Sequence, residues 1–265
     1  MTTELRDGAD TRGWALVRGK TAQCGWRLLA VHLVFAAVGW GELKLWERLG
    51  EAGLWHTRDI AALAVHGLAA AWCWSAGLRI LDGGTGLASA LRPDVARVAR
   101  LGGWLVLLNV TGVLGLIADI DVDAFAGLVF SPVWKAVALS CAYLVFAAAL
   151  LPMAVLLEGR GVRRAWRLTH GSWRTVAWVL PVVVLDALAS AVLTSLPLTA
   201  AGVYPRPSSY PLLQAAALAG GAVKGAAVAV LLYAAYRRAA APRGERADTP
   251  QGGLQAGPPR PQVRA

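Results

Sequence analysis

Charge is scarce in this chain of 265 residues: Asp, Glu, Lys and Arg make up 16%, against 57% hydrophobic residues. A soluble domain carries about a quarter charged residues, and a chain this short cannot build a core large enough to hide so much apolar surface. A soluble globular class is excluded. Cysteine is equally sparse. Cys24, Cys73 and Cys141 are widely spaced and form no CxxC, so no disulfide framework is expected. The first ten residues hold Glu4, Arg6, Asp7 and Asp10 without an apolar core, so no cleavable signal peptide is expected and the first span must direct insertion. Lysine is rare, with 4 Lys against 22 Arg. With abundant Ala, Gly, Leu and Val, that ratio looks like the coding bias of a high-GC bacterium and carries no functional information.

What fills the chain is long apolar runs. About 20 mainly apolar residues cross about 30 Å of hydrocarbon, and six stretches qualify: about 26–46, 60–81, 101–119, 134–157, 176–198 and 212–236. The first is the weakest, because its clean run from Leu28 to Gly41 ends at Glu42 and Lys44. The expected fold is an all-α polytopic membrane bundle of about six spans with interfacial amphipathic helices. Residues 1–25 form a cytoplasmic segment with an elbow helix, 26–238 the membrane domain, and 239–265 a Pro-, Gly- and Arg-rich tail too poor in apolar residues to fold.

The net charge of +10 would suggest nucleic acid in a soluble protein. Here it is explained by topology. Twenty of the 26 basic residues fall before span 1, after spans 2 and 4, and after span 6. This positive-inside pattern places both termini in the cytoplasm of a cell membrane. Nucleic-acid binding is not expected; the expected partner is a bilayer with anionic headgroups. Trp26, Trp104 and Trp178 near the inner ends, with Trp40, Trp46, Trp55 and Trp134 near the outer ends, read as an aromatic belt.

Residues 158–175 are the most informative polar stretch. Val162, Trp166, Thr169 and Trp173 recur at helical spacing, with Arg160, Arg163, Arg164, Arg167 and Arg174 on the other side. Such a helix lies in the interface plane against anionic lipid. The pattern Trp-x-Leu-x-x-Gly, six residues, then Trp occurs at Trp14 to Trp26 and again at Trp166 to Trp178, at a constant offset of 152. It suggests a degenerate parallel repeat with elbow helices before spans 1 and 5.

Pro152, Leu157-Glu158-Gly159, Arg164-Ala165-Trp166-Arg167-Leu168, Gly171, Trp173 and Arg174 together resemble the membrane domain that accompanies some bacterial glycerophosphodiester phosphodiesterases and occurs alone in many actinobacterial membrane proteins. Ala165 stands where that family usually has Ser. The resemblant stretch covers about a tenth of the chain. It implies a helical membrane fold and no phosphodiesterase activity, because that chemistry belongs to a separate soluble domain.

Sites for chemistry are few. Asp119, Asp121 and Asp123 alternate like the start of a calcium loop, but Ala124 and Phe130 stand where the loop needs Gly and a bidentate carboxylate. Gly83-Gly84-Thr85-Gly86 lacks the Lys-Ser/Thr of a phosphate loop. His32, His56, His66 and His170 lack paired spacing, and Ser140, Ser190 and Ser195 lack a GxSxG or flanking base. No catalytic residue, metal or cofactor is expected. Ala217, Gly221 and Gly225 form a small face on span 6 for close helix packing. Asp186 and Lys224 stand near mid-span, 10 residues after Val176 and 12 before Tyr236. At about 1.5 Å per residue those depths agree to about one turn, so an intramembrane charge pair is expected. The functional expectation is a non-enzymatic transport, accessory or envelope- and lipid-related membrane protein. An intramembrane enzyme acting on a lipid or phosphodiester, and a membrane anchor for a partner chain, remain the alternatives.

Overall fold

A computed structural model describes residues 4–51, 55–83, 85–108, 132–203 and 210–240. The described residues are all-helical, without strands. In chain order the helices are α1 (Glu4–Glu51), α2 (Trp55–Gly83), α3 (Leu87–Ala90), α4 (Val95–Leu108) and α5 (Pro132–Ala147). Then follow α6 (Leu151–Leu156), α7 (Val162–His170), α8 (Trp173–Val203) and α9 (Tyr210–Ala240). Among the described residues five stretches are long and apolar enough to cross a membrane: Gly13–Gly39, Ala61–Gly83, Leu139–Leu156, Trp173–Ser190 and Ala215–Ala240. The expected span at 101–119 is described only through Leu108. Asp119, Asp121, Asp123 and the tail from residue 241 lie outside the described residues.

The order of packing is α8 on α9, α9 on α1, α1 on α2, and α2 on α4, with α6 reaching α2, α4 and α7. All six residues of α6 are buried, so this short helix is the hub of the core. It is separate from α5 because of Pro152. Proline has no N–H to donate and its ring clashes with the carbonyl four residues back, at Ala148. The chain answers with tighter bonds around a turn, from Ala149 N–H to the Phe146 carbonyl (3.1 Å) and from Leu151 N–H to the Ala148 carbonyl (2.8 Å). The fourth expected span is thus two helices. A close crossing joins α2 and α4. A Cβ added at Gly102 would stand 3.3 Å from Leu68 Cα, and one at Gly67 would stand 2.6 Å from Val106 Cγ2. Glycine at both positions allows that approach.

One end of the bundle collects the helix termini, where carbonyls lack partners within their own helix. Lys20 of α1 donates to the Leu81 carbonyl, and Arg27 to that of Thr85 at 3.4 Å. Arg97 Nη1 donates to the Leu156 carbonyl at 2.6 Å, and Arg100 Nη1 to that of Gly159 at 3.1 Å. Gly159 has φ 67°, the left-handed region in which glycine ends helices at no steric cost. Asp82 accepts from the Tyr233 hydroxyl at 2.8 Å and faces Arg237 at 3.7 Å. Thr85, just beyond α2, donates its hydroxyl to the Arg79 carbonyl at 3.1 Å, and Gly84 lies outside the described residues.

Two sequence expectations change here. The elbow helix before span 1 is not a separate element, because α1 runs unbroken from Glu4 to Glu51. The two Trp-x-Leu-x-x-Gly copies therefore differ. The second copy breaks at Gly171 and restarts where the Ser172 carbonyl accepts from Thr175 and Val176 N–H (2.9 and 3.1 Å). The matching position in the first copy is Lys20, which is tied to α2 instead. The expected face of α7 is also divided, with Thr169 turned into the protein and Trp166 left outside. Ala165, Leu168 and Thr169 are buried, whereas Trp166 is exposed and Trp173, 80% exposed, begins α8. Packing against α5, α6, α8 and α9 selects the small and aliphatic side for the protein. The indoles are left outside.

Glu158 ties α7 to the hub. Arg164 donates twice to its carboxylate, at 2.6 and 3.1 Å, and the Tyr236 hydroxyl donates at 3.2 Å. Burial pushes this carboxyl up, but the Arg164 hydrogen bonds and charge, with Tyr236 and the more distant Arg160, outweigh it and hold Glu158 below its ordinary value. A depressed carboxyl contributes stability that is present above its unfolded pKa and is lost as pH falls through the folded one. Relative to Glu158→Gln, the wild type in nanodiscs is expected to hold a higher melting temperature near neutral pH. That advantage should shrink as pH falls below about 4.3, the ordinary glutamate value. A thermal-shift series against pH on both proteins reads the difference.

Candidate functional site

Apolar helices give a charged group nowhere to go but to a partner of opposite sign. Asp186 on α8 and Lys224 on α9 meet at 2.8 Å, Nζ to Oδ1. The ammonium also donates to the Ser190 hydroxyl at 2.6 Å, and that hydroxyl donates to the Asp186 carbonyl one turn back at 2.7 Å. Ser190 was singled out in the sequence only as a serine within a span. Its place is now specific, since the hydroxyl stands one turn past the carboxylate and completes a three-residue polar patch across the α8–α9 seam. The patch is not sealed. The Asp186 side chain is 41% accessible and that of Lys224 is 25%. Around it α8 shows apolar side chains outward, Leu185, Leu188 and Val192 among them.

Close approach of α9 to its neighbours depends on glycine, at Gly225 as the sequence suggested and at Gly220, which it did not mark. A Cβ at Gly220 would lie 2.8 Å from Leu193 Cδ2 of α8, and one at Gly225 would lie 2.7 Å from His32 Nδ1 of α1. Nothing lies within 4 Å of a Cβ at Gly221, and Ala217 is half-buried. The small face therefore turns two ways, with Gly220 opening the seam to α8 and Gly225 the seam to α1.

That second seam brings in a residue that sequence reasoning passed over. His32 packs its ring over Gly225, the residue after Lys224, and its Nδ1 lies 3.3 Å from the Cys73 thiol of α2. Its Nε2 is buried without a hydrogen-bond partner among the described residues. The available signal was the position of His32 inside the first apolar run. Its unpaired spacing from the other histidines concealed the connection, because its partners come from other helices. His66 meets Phe35 at 5.8 Å between ring centroids, and the side chain of His56 lies outside the described residues.

The interfacial residues divide. Arg164 is drawn inward by Glu158, while Arg160, Arg163, Arg167 and Arg174 are exposed. Trp166 stacks on His170 at 4.5 Å between centroids, and Tyr143 meets both edge-on at 5.4 and 5.8 Å. Trp178 turns into the bundle, donating to the Leu231 carbonyl at 3.2 Å and packing on Trp14 at 5.1 Å. Trp26 stays exposed; the side chains of Trp40, Trp46, Trp55 and Trp134 lie outside the described residues. Ser140 donates to the carbonyl four residues back, at 2.8 Å, the ordinary use of serine in a helix. The Ser195 side chain is outside the described set. Comparison with protein-family models, curated proteins and solved structures gives no match to the chain.

A charge left alone at the centre of a bilayer costs at least about 2.5–3.5 kcal/mol. Asp186→Ala or Lys224→Ala is therefore expected to lower the amount of protein in the membrane several-fold. Exchanging the two residues, Asp186→Lys with Lys224→Asp, is expected to restore much of it. Quantitative immunoblotting of membrane fractions decides the matter, and single variants that accumulate normally would show that the contact is dispensable.

Proposed function

We propose that the chain is a six-span integral protein of a bacterial cytoplasmic membrane, with both termini in the cytoplasm. It serves without catalysis, as a transport or accessory component for lipids or other envelope material. The observation that carries this reading is the Asp186–Lys224 pair, closed at 2.8 Å yet partly accessible at the flank of the bundle. Ionisable residues within spans are costly to bury, and those that are kept, paired with one another, mark substrate or ion pathways. A pair on the seam of two neighbouring helices can open when those helices shift. That is what a component moving material through or along the bilayer requires.

Orientation is supported by the charge asymmetry of the sequence together with the gathering of Lys20, Arg27, Arg97, Arg100 and Arg237 at one end. Contact with anionic headgroups is supported by exposed Arg163, Arg167 and Arg174 beside exposed Trp166 and Trp173. Guanidinium groups hold phosphate, and indoles settle at headgroup depth. The resemblance of residues 152–178 to the membrane domain found beside glycerophosphodiester phosphodiesterases agrees with a lipid-related role.

Reporter fusions after Ser89, Arg160 and Ala241 should read as cytoplasmic, and fusions after His56, Asp123 and Ser208 as external. One reproducible inversion would break the six-span arrangement. For the lipid role, protein extracted in polymer-bounded native discs should carry anionic lipid enriched over the bulk membrane by mass spectrometry. The triple variant Arg163→Gln, Arg167→Gln, Arg174→Gln should lose at least about half of that enrichment, as expected when surface basic residues each contribute about 1 kcal/mol. Bulk composition around the wild type would remove the lipid reading.

A further inference from the structure

Two contacts, His32 with Cys73 and Lys224 with Asp186, bring four exchangeable-proton groups from four helices to either side of Gly225. They are the His32 imidazole on α1, the Cys73 thiol on α2, the Asp186 carboxylate on α8 and the Lys224 ammonium on α9. We propose that His32 is a proton-binding position coupled to the Asp186–Lys224 pair, so that the ion that works this site is a proton. The inference rests on the reading of that pair as a working part and names its ion.

The chemistry of the donors favours a proton over a metal cation. A hard cation needs several oxygen ligands, whereas the carboxylate here is already occupied by an ammonium at 2.8 Å. The remaining groups are an imidazole, a thiol and a hydroxyl that donates to backbone. Imidazole is the side chain that gains and loses a proton near neutrality, and its two nitrogens can receive and release at different places. In His32 these places are distinct. Nδ1 faces the Cys73 sulfur, while Nε2 is enclosed and unpaired among the described residues. A buried polar nitrogen left unpaired costs about 1–3 kcal/mol, so its retention calls for a physical reason, and holding a proton or an ion is one.

The coupling follows from charge. With His32 neutral, Asp186 and Lys224 cancel and the site carries no net charge. When the ring takes a proton, both nitrogens become donors, Nδ1–H pointing at sulfur, and one positive charge is added. That charge repels Lys224, whose neighbour Gly225 lies against the ring, and favours Lys224 staying on Asp186. Losing the proton removes the repulsion. The groups that act on His32 are thus the Lys224 charge from α9 and the Cys73 thiol from α2, while His66 of α2 meets Phe35 of α1. Asp186 of α8 acts through its contact with Lys224.

The test uses the full-length protein in nanodiscs of phosphatidylethanolamine and phosphatidylglycerol, with ring-15N-labelled histidine, and His32→Gln identifying the His32 signals. The His32 ring is expected to take up a proton within the range from about pH 4 to 9, and Lys224→Gln is expected to shift its midpoint by about one pH unit or more, the size of a single close charge interaction. Asp186→Asn should shift it in the opposite sense, and Cys73→Ser should alter the Nδ1 signal while leaving uptake in place. A ring that stays neutral throughout, or a midpoint unmoved by both charge variants, overturns the proposal. If Lys224→Gln does not accumulate, Asp186→Asn alone decides. Because His32→Gln should leave fusion topology and lipid enrichment unchanged, an inert His32 would refute the proton without refuting the membrane role. Failure of the Asp186–Lys224 exchange would remove the reading of the pair as a working part, and the proton with it.

Discussion

Hydrocarbon offers no hydrogen-bond partner, so every polar group carried into it must be satisfied by the protein itself. Most features of this chain follow from that constraint. The backbone is answered by helices over most of the described residues. Ser140 and Ser190 return their hydroxyls to the carbonyl one turn back. The one carboxylate and the one ammonium deep in α8 and α9 answer each other. Even Cys73, ordinarily a small apolar filler, is turned toward the His32 ring. Against this consistency the enclosed Nε2 of His32, without a hydrogen-bond partner among the described residues, stands out.

At the end of the bundle where the helices stop, the same constraint explains the arginines. Positive charge near spans sets orientation during insertion, yet in the folded protein many of these residues have a second task. Arg97 and Arg100 of α4 close the carbonyls at the end of α6 and its turn, while Lys20 and Arg27 of α1 do so for α2. A cation at a helix C-terminus is favoured by the helix dipole as well as by the hydrogen bond. The basic residues therefore divide into those that tie helix ends together and those, such as Arg163 and Arg167 on α7, that face outward. A count of charges cannot make that division, because it depends on which carbonyls the fold leaves open.

Composition and run length were enough to read the helical class, since both concern single segments. Relations within one helix or between matching depths were also legible: Asp186 and Lys224 could be set at one level by counting residues. Relations that require a third partner were not. The break at residues 148–150 needed Pro152 to be weighed against a strong apolar run, and the run won the reading while the proline won the structure. The orientation of α7 follows from packing on four helices, which spacing alone cannot see, so Trp166 and Trp173 were assigned to one face that the fold divides. Gly220 was overlooked beside Gly221 because a small-residue motif marks a stripe, not the direction of each neighbour.

Gly225 shows how packing and electrostatics become one device. Its missing side chain is what allows α1 to lie against α9 closely enough for the His32 ring to occupy the space a Cβ would need. The same approach sets an ionisable ring beside the residue next to Lys224. A larger residue there would have to separate α1 from α9, or turn the ring away from Cys73, and either change would alter the surroundings of the ion pair without touching Asp186 or Lys224. The helix contact and the charge site therefore cannot be tuned independently. Any movement that opens the α1–α9 seam is felt by the Asp186–Lys224 pair, and any change in its charge is felt as a force on that seam.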